Sequence, residues 1–213
     1  MDQIKSELFS YYNDLPYYHR LFVKKRIQLI PLDELDKTVQ RQGNIVELGC
    51  GHGIVSNYLA LTSRERNVIG IDFDKERIQW ANTTVTGRDN IKFICDDITQ
   101  LKVETVDVVI LFGVLCLIPF EHWDNLFKKI FQSLRKGGSF ILHDIKVTNN
   151  FKFYLHIARE HLFRIIKITK AKGLFLKNDV ELIRQISNHG FFAKPFGADV
   201  QWSSTLNYCF IKI

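Results

Sequence analysis

The stretch Val46-Glu47-Leu48-Gly49-Cys50-Gly51-His52-Gly53 constrains this chain more than any other. An apolar strand ends on an acidic residue, passes through three glycines at alternate positions, and opens into a helical pattern from Ile54 to Leu61. Glycine at 49, 51 and 53 frees the backbone for positive φ and lets a ligand approach where a Cβ would clash. The helix that follows begins with unpaired N–H groups beside that ligand. Dinucleotide sites favour G-x-G-x-x-G. Here the third glycine comes one residue early, and the Glu47 carboxylate precedes the loop. A carboxylate there repels a pyrophosphate and suits a cationic group.

The rest of the chain repeats this strand–helix unit. Two helical segments come first, His19 to Ile30 and Leu32 to Gln40, punctuated by Pro16 and Pro31. Strands are expected at 44–48, 68–71, 91–95, 107–112 and 139–142, with helices at 54–61, 75–84 and 121–135, the last closed by Gly137-Gly138. Short all-apolar strands between amphipathic helices describe a parallel sheet covered on both faces. After Asp144 the alternation breaks: a basic amphipathic segment (151–168) intrudes, then a helix (177–188) and two β-like segments (191–196, 206–213) follow. The expectation is one doubly wound α/β domain. It divides into an N-terminal helical cap (1–42), a core (43–145), a basic lid (146–177) and a C-terminal helix with a β-hairpin (178–213).

Composition narrows the function classes. The first residues, MDQIKSELFSYYND, lack the apolar stretch of a secretory signal. The longest apolar run, Val108 to Ile118, is too short for a membrane span. Cys50, Cys95, Cys116 and Cys209 form no C-x-x-C pair and are expected as reduced thiols of a cytoplasmic protein. No metal-ligand spacing appears, so no metal is expected. The net charge of +6 is local: between Ile145 and Asn178, eight Lys or Arg oppose Glu160 alone, and the rest of the chain is nearly neutral.

In a doubly wound sheet, ligands bind beyond the carboxyl ends of the strands. There stand Gly49, Cys50, Gly51 and Gly53 after the first strand, and Asp72 after the second, about 20 residues past the loop, where it suits ribose hydroxyls. Asp96 and Asp97 follow the third strand and suit an exocyclic amine; Phe112 and Gly113 follow the fourth. In VELGCGHG, IGIDFDKERI, IKFICDDI, VDVVILFGVLCLI and LRKGGSFILHDI the chain resembles the class I S-adenosylmethionine-dependent methyltransferases over about residues 43–145. The resemblance implies a sheet of order 3-2-1-4-5-7-6 with only the seventh strand antiparallel, and S-adenosylmethionine as cofactor with S-adenosylhomocysteine as product. It implies that Glu47 and Gly49 meet the methionine amino group, and Asp72, with Phe73 beside it, the ribose. Asp97, or Asp96 in its place, would take the adenine amine, with the Ile98 N–H on the ring. Asp96 departs from the glycine common at its position, which leaves the two acids open.

An activated methyl group needs alignment more than acid–base help. A base is needed only where the nucleophile must lose a proton, and His143, Asp144 and His19 are the candidates. His52 reads better as a packing residue beside the cofactor. Phe112-Gly113-Val114-Leu115 lacks the polar segment that resembling base-methylating enzymes carry, which argues against nucleic acid as partner. On a helical projection Phe151, Leu155, Ala158, Leu162 and Ile165 form one stripe, and Lys152, His156, Arg159, Lys167 and Lys170 largely another. With Phe153, Phe163, Phe175 and the run Arg20 to Arg26, this pattern suits an anionic membrane surface or an acyl- or phosphate-bearing substrate. A looser similarity to small methyltransferases of bacterial lipid or polyene biosynthesis rests on Tyr17 to Phe22, Pro31 to Leu35 and His143 to Ile145 with Phe151 to Phe153. The expected acceptor is therefore small and hydrophobic or lipid-like, with oxygen ranked ahead of nitrogen or carbon. Its rivals are a nucleic-acid methyltransferase and a non-catalytic cofactor-binding scaffold.

Overall fold

Strand β1 (Gly43–Leu48) carries Ile45, Val46 and Leu48, strand β4 (Val106–Phe112) is mostly valine, isoleucine and leucine, and from Ile45 and Val108 onward both faces of each are buried. Around them a computed structural model places seven strands in the order β3-β2-β1-β4-β5-β7-β6. The described residues are 3–100, 105–149, 151, 153–155, 157, 158, 173–197 and 205–213. Strands β2 (Arg66–Asp72) and β3 (Ile91–Cys95) pair in parallel with their neighbours, and β5 (Leu134–Ile145) pairs in parallel with β4. Only β7 (Thr205–Lys212) runs antiparallel, to both β5 and β6 (Phe191–Pro195). The expected sheet order and strand directions therefore hold.

Alternation along the strands divides the core in two. Ile45, Val68, Phe93, Val108, Ile110, Phe112 and Ile141 face one side. There they meet α4 (Ile54–Thr62), α5 (Lys75–Thr83) and the cap helices α1 (Gln3–Ser10), α2 (Tyr17–Leu29) and α3 (Leu32–Thr38). Val46, Leu48, Val109, Leu111, Phe140 and Leu142 face the other, against α6 (Phe120–Ser133) and α7 (Asp179–Ser187). Helix α6 buries Trp123, Leu126, Phe127 and Ile130, an i, i+3, i+4, i+7 stripe.

The cap is fastened by a buried arginine. Arg66 at the start of β2 is fully enclosed, and its guanidinium donates to the carbonyls of Asp36, Val39 and Leu59, to Asp36 Oδ1 at 2.5 Å and to Thr62 Oγ1 at 2.8 Å. Its Nε donates to the Gln40 carbonyl at 2.8 Å. One side chain thus satisfies carbonyls at the end of α3 and joins them to β2 and α4.

One expectation is corrected. Helix α6 does not run to Arg135 with Gly137-Gly138 as its stop; it ends at Ser133, and Leu134 turns directly into extended backbone. Both glycines lie inside β5, at an irregularity where the pairing with β4 shifts between Val106 and Val108. A Cβ on Gly138 would stand 2.9 Å from the Arg135 carbonyl oxygen and 3.0 Å from that of Asp107. That glycine serves close backbone approach, not helix capping. Of the expected lid, residues 151, 153–155, 157 and 158 are helical, with Phe151, Tyr154 and Leu155 exposed. Lys152, His156, Arg159, Leu162, Phe163, Ile165, Lys167 and Lys170 lie outside the described residues. Phe175 packs edge-on against Phe120, and its N–H donates to the Cys116 carbonyl at 2.7 Å.

Candidate active site

At the carboxyl ends of β1, β2 and β4 lies a cavity of about 450 Å³, closed on one side by the cap. The glycine loop forms its floor. Gly53 is left-handed (φ 75°) and packs so closely that a Cβ would stand 2.3 Å from the Phe93 ring. Gly51 is also left-handed (φ 55°), yet no protein atom comes nearer than 3.6 Å to its would-be Cβ. That space belongs to the cavity and suits a ligand lying on the backbone.

The carboxylates are held in place by backbone donors. Asp72 is buried; its Oδ2 accepts from the Gly51 N–H at 2.8 Å and its Oδ1 from the Asp74 N–H at 2.9 Å. Glu47 is buried as well. Its Oε2 accepts from the Ser56 N–H at 2.9 Å and the Ser56 hydroxyl at 2.5 Å. Burial pushes the Glu47 carboxyl up to about 7; the Ser56 donors and the Arg26 guanidinium pull against that rise, while Asp72 adds to it. Asp97, just after β3, also lines the cavity, its Oδ1 accepting from the Thr99 N–H and hydroxyl at 2.8 Å each. Asp96 is absent from the lining: its Oδ1 accepts from the Asp97 N–H, and it serves the turn. Cys50, Phe73, Ile98, Phe112 and Gly113 complete the set read from the sequence.

The candidate bases are dispersed. His143 and Asp144 are consecutive on a strand and so point to opposite faces. His143 stacks on Phe112 (ring centroids 3.9 Å apart, 12° between planes), outside the cavity lining, with Nδ1 2.5 Å from Asn207 Oδ1. Asp144 faces the α6 side, where its Oδ2 accepts from the Cys116 N–H at 3.1 Å and its Oδ1 from the Ile145 N–H. Burial raises the Asp144 carboxyl. His19 Nδ1 lies 3.0 Å from His52 Nε2, so the cap helix and the glycine loop share one hydrogen bond between imidazoles. Burial lowers the affinity of both rings for a proton, that of His52 to about 3 with Arg77 and His19 contributing. Tyr12 adds a second fastening: its hydroxyl donates to the His52 carbonyl at 3.1 Å and accepts from Asn57 Nδ2 at 2.9 Å.

Several lining residues were not among those the sequence places at the cofactor site, Phe22 and Arg26 being read there only as part of a basic aromatic run. Phe22, Arg26 and Ile30 enter from the cap at a spacing of four, one face of α2. That spacing was visible, but nothing in the sequence aimed it at the glycine loop. Arg77, paired with Asp74 at 3.7 Å, comes from α5, and His122 from the first turn of α6. Val114, Leu117, Ile118 and Pro119 make an apolar wall after β4.

A carboxylate anchored on the glycine loop (Asp72), a second after β3 (Asp97), a buried Glu47 and an open glycine loop fit an adenosine carrying a charged amino-acid tail. A protein-family model described as "Methyltransferase domain" matches residues 45–138. That segment, with the sheet order 3-2-1-4-5-7-6, is what the resemblance to class I S-adenosylmethionine-dependent methyltransferases implies. The chain is 27% identical over 133 residues to the carboxy-S-adenosyl-L-methionine synthase of Actinobacillus succinogenes, covering 58% of this chain and 55% of that protein. It is 26% identical over 174 residues to the synthase of the same name from Mannheimia succiniciproducens, covering 76% and 71% respectively. The chain spans about half the length of most curated relatives of that name that it matches, down to 45% for the Hydrogenovibrio crunogenus protein. Its fold is shared with magnesium protoporphyrin IX methyltransferase from Synechocystis with bound SAH, at a TM-score of 0.69 and 15% identity over 99% of this chain and 95% of that one.

Proposed function

We propose that this chain transfers a methyl group from S-adenosylmethionine to a small, hydrophobic or lipid-like acceptor, with a hydroxyl ranked ahead of an amine or carbon. The observation that carries the reading is the composition of one cavity. Carboxylates for the cofactor (Glu47, Asp72, Asp97) face it together with an apolar wall from Phe22, Ile30, Phe112, Leu117 and Ile118. When bound, the cofactor supplies an electrophilic methyl group on a sulfonium. The chain's task is then to position the acceptor and exclude water, which the apolar wall supports. His143 and Asp144 stand away from the lining and His19 is engaged by His52, so the proton that a hydroxyl acceptor must lose on methylation passes to solvent or to His122, which does line the cavity, rather than to any of the three.

The outer face of the cap supports the lipid-like acceptor. Tyr17, Tyr18, Leu21 and Leu29 are exposed on α2 beside Lys24 and Lys25, while the inner face of the same helix lines the cavity. This pattern suits an anionic membrane surface. Among the described residues, no helix is long and apolar enough to cross a membrane.

The deciding experiment is incubation with methyl-labelled cofactor and fractionated cell extract. Label in the organic-soluble fraction is the expected result. Label in nucleic acid would replace this reading with that rival, and no transfer despite cofactor binding would favour the scaffold. A second reading follows from the names of the relatives and from Arg26 and Arg77 at the cavity: chemistry on the cofactor itself, giving a carboxylated cofactor. Mass spectrometry of the nucleoside product separates the two, since methyl transfer leaves S-adenosylhomocysteine.

A further inference from the structure

The apolar wall after β4 contains a short 3-10 turn, Leu115–Leu117. The Leu117 N–H donates to the Val114 carbonyl at 2.9 Å and the Ile118 N–H to the Leu115 carbonyl at 3.0 Å. Val114, Leu117 and Ile118 line the cavity, while Leu115 and Cys116 are buried and absent from the lining. The first donors of such a turn, here the N–H groups of Leu115 and Cys116, have no partner within it. Asp144 supplies one from the neighbouring strand. Its buried carboxyl meets both N–H groups, that of Cys116 at 3.1 Å from Oδ2, and the Cys116 thiol as well. The Gly113 N–H donates to the His143 carbonyl at 2.7 Å, so two successive residues of β5 hold this connection. Its other contacts are fixed too. The Phe175 N–H donates to the Cys116 carbonyl at 2.7 Å, and the Trp123 indole to the Ile118 carbonyl at 2.8 Å.

Packing alone gives no reason to bury a carboxyl here, since an apolar side chain would avoid the cost of desolvating it. Among the described residues Asp144 forms no ion pair, and its oxygens serve the turn and the Ile145 N–H. A carboxylate accepts several N–H groups at once, which suits it to a turn that offers two. We propose that Asp144 is a positioning residue for the methyl acceptor: it caps the turn from behind and sets where Val114, Leu117 and Ile118 stand against the acceptor. It acts through the turn and touches neither reactant. The inference rests on the methyltransferase reading and deepens it, by naming what fixes the wall that an apolar acceptor would meet.

The test follows label from methyl-labelled S-adenosylmethionine into the organic-soluble fraction at increasing concentrations of cell extract. Calorimetry with S-adenosylhomocysteine runs beside it. Asp144→Ala should raise the extract concentration for half-maximal transfer about tenfold or more, because a wall displaced by about 1 Å misaligns the acceptor. Its affinity for S-adenosylhomocysteine should stay within about threefold of the unaltered protein's. Asp144→Asn keeps the length and one acceptor oxygen for the Cys116 N–H, and should show a smaller rise, about threefold. If the alanine variant does not fold, the asparagine one carries the comparison. A maximal rate lost equally in both variants, with half-saturation unchanged, would make Asp144 the base and overturn the inference. Unchanged transfer, or transfer and S-adenosylhomocysteine affinity falling by the same factor, would overturn it in favour of a structural role. If the unaltered protein binds S-adenosylhomocysteine but labels nothing organic-soluble, the acceptor reading itself fails, and this inference with it.

Discussion

Three side chains concentrate the chemistry of the site, and each makes a separable prediction. Asp72 is aligned by two backbone donors before any ligand arrives, so Asp72→Ala should lower affinity for S-adenosylhomocysteine at least tenfold, read by calorimetry. Glu47 must be ionised to hold an ammonium, yet burial sets its carboxyl near 7. Cofactor affinity should therefore fall about tenfold per pH unit below that value, and Glu47→Gln should abolish the dependence. Without ligand the same group acts on stability. The folded chain keeps a proton on Glu47 that the unfolded chain, at its ordinary value of 4.5, releases. Its contribution is complete below 4.5 and is lost as pH rises through about 7. His52 runs the other way. Held neutral down to about 3 against an ordinary 6.5, it contributes fully above 6.5 and progressively less as pH falls towards 3. Melting temperatures across pH 4 to 8 check both signs: Glu47→Gln should remove the alkaline loss and His52→Asn the acid one. Glu47, Asp72 and the glycines were legible because strand ends in a doubly wound sheet are ligand positions by geometry. That Arg26 enters the cavity was not legible, because it depends on where a separate helix docks.

At the scale of elements, the cap and the irregular strand β5 carry the most specific energetics. Arg66 is enclosed and saturated by partners from the end of α3, from α4 and from the loop after the cap. Arg66→Met would take the arginine donor from the Val39 and Gln40 carbonyls and leave Asp36 with Arg41 and Thr62 alone, and should cost about 2–4 kcal/mol in chemical denaturation. The sequence showed Arg66 only as a polar residue ahead of an apolar strand; its burial follows from the helix that closes over it. Gly138→Ala should destabilise by about 1–3 kcal/mol, since the new methyl meets two carbonyl oxygens, whereas Gly137→Ala meets no neighbour and pays only for its positive φ. The paired glycines read as a helix stop because G-G marks many helix ends. What decided otherwise was the need of β5 to pass close to β4, a tertiary demand that leaves no local sign.

For the whole molecule, the sheet separates two jobs. One face holds the cap, the glycine loop and the cavity, and the other is packed by α6, α7 and a cluster of phenylalanines including Phe127, Phe140, Phe191 and Phe210. That both faces are covered was readable from the all-apolar strands, but which elements cover which face was not. The acceptor was not, because its wall is assembled from the cap, the turn after β4 and the start of α6, segments far apart in the chain. The surface gives a further prediction: the chain should co-sediment with phosphatidylglycerol vesicles and not with phosphatidylcholine ones, and added salt should release it. Replacing Tyr17 and Leu21 with serine should weaken that binding without changing affinity for S-adenosylhomocysteine in solution.

Helix α2 presents Phe22 and Arg26 to the cavity and Tyr17 and Leu21 to the outside, across the width of a single helix. Any ligand that shifts this helix from within must alter the affinity of whatever holds it from without, and by thermodynamic reciprocity the second must alter the first by the same factor. Cofactor loading and surface attachment would then be two readings of one equilibrium, the position of thirteen residues of helix.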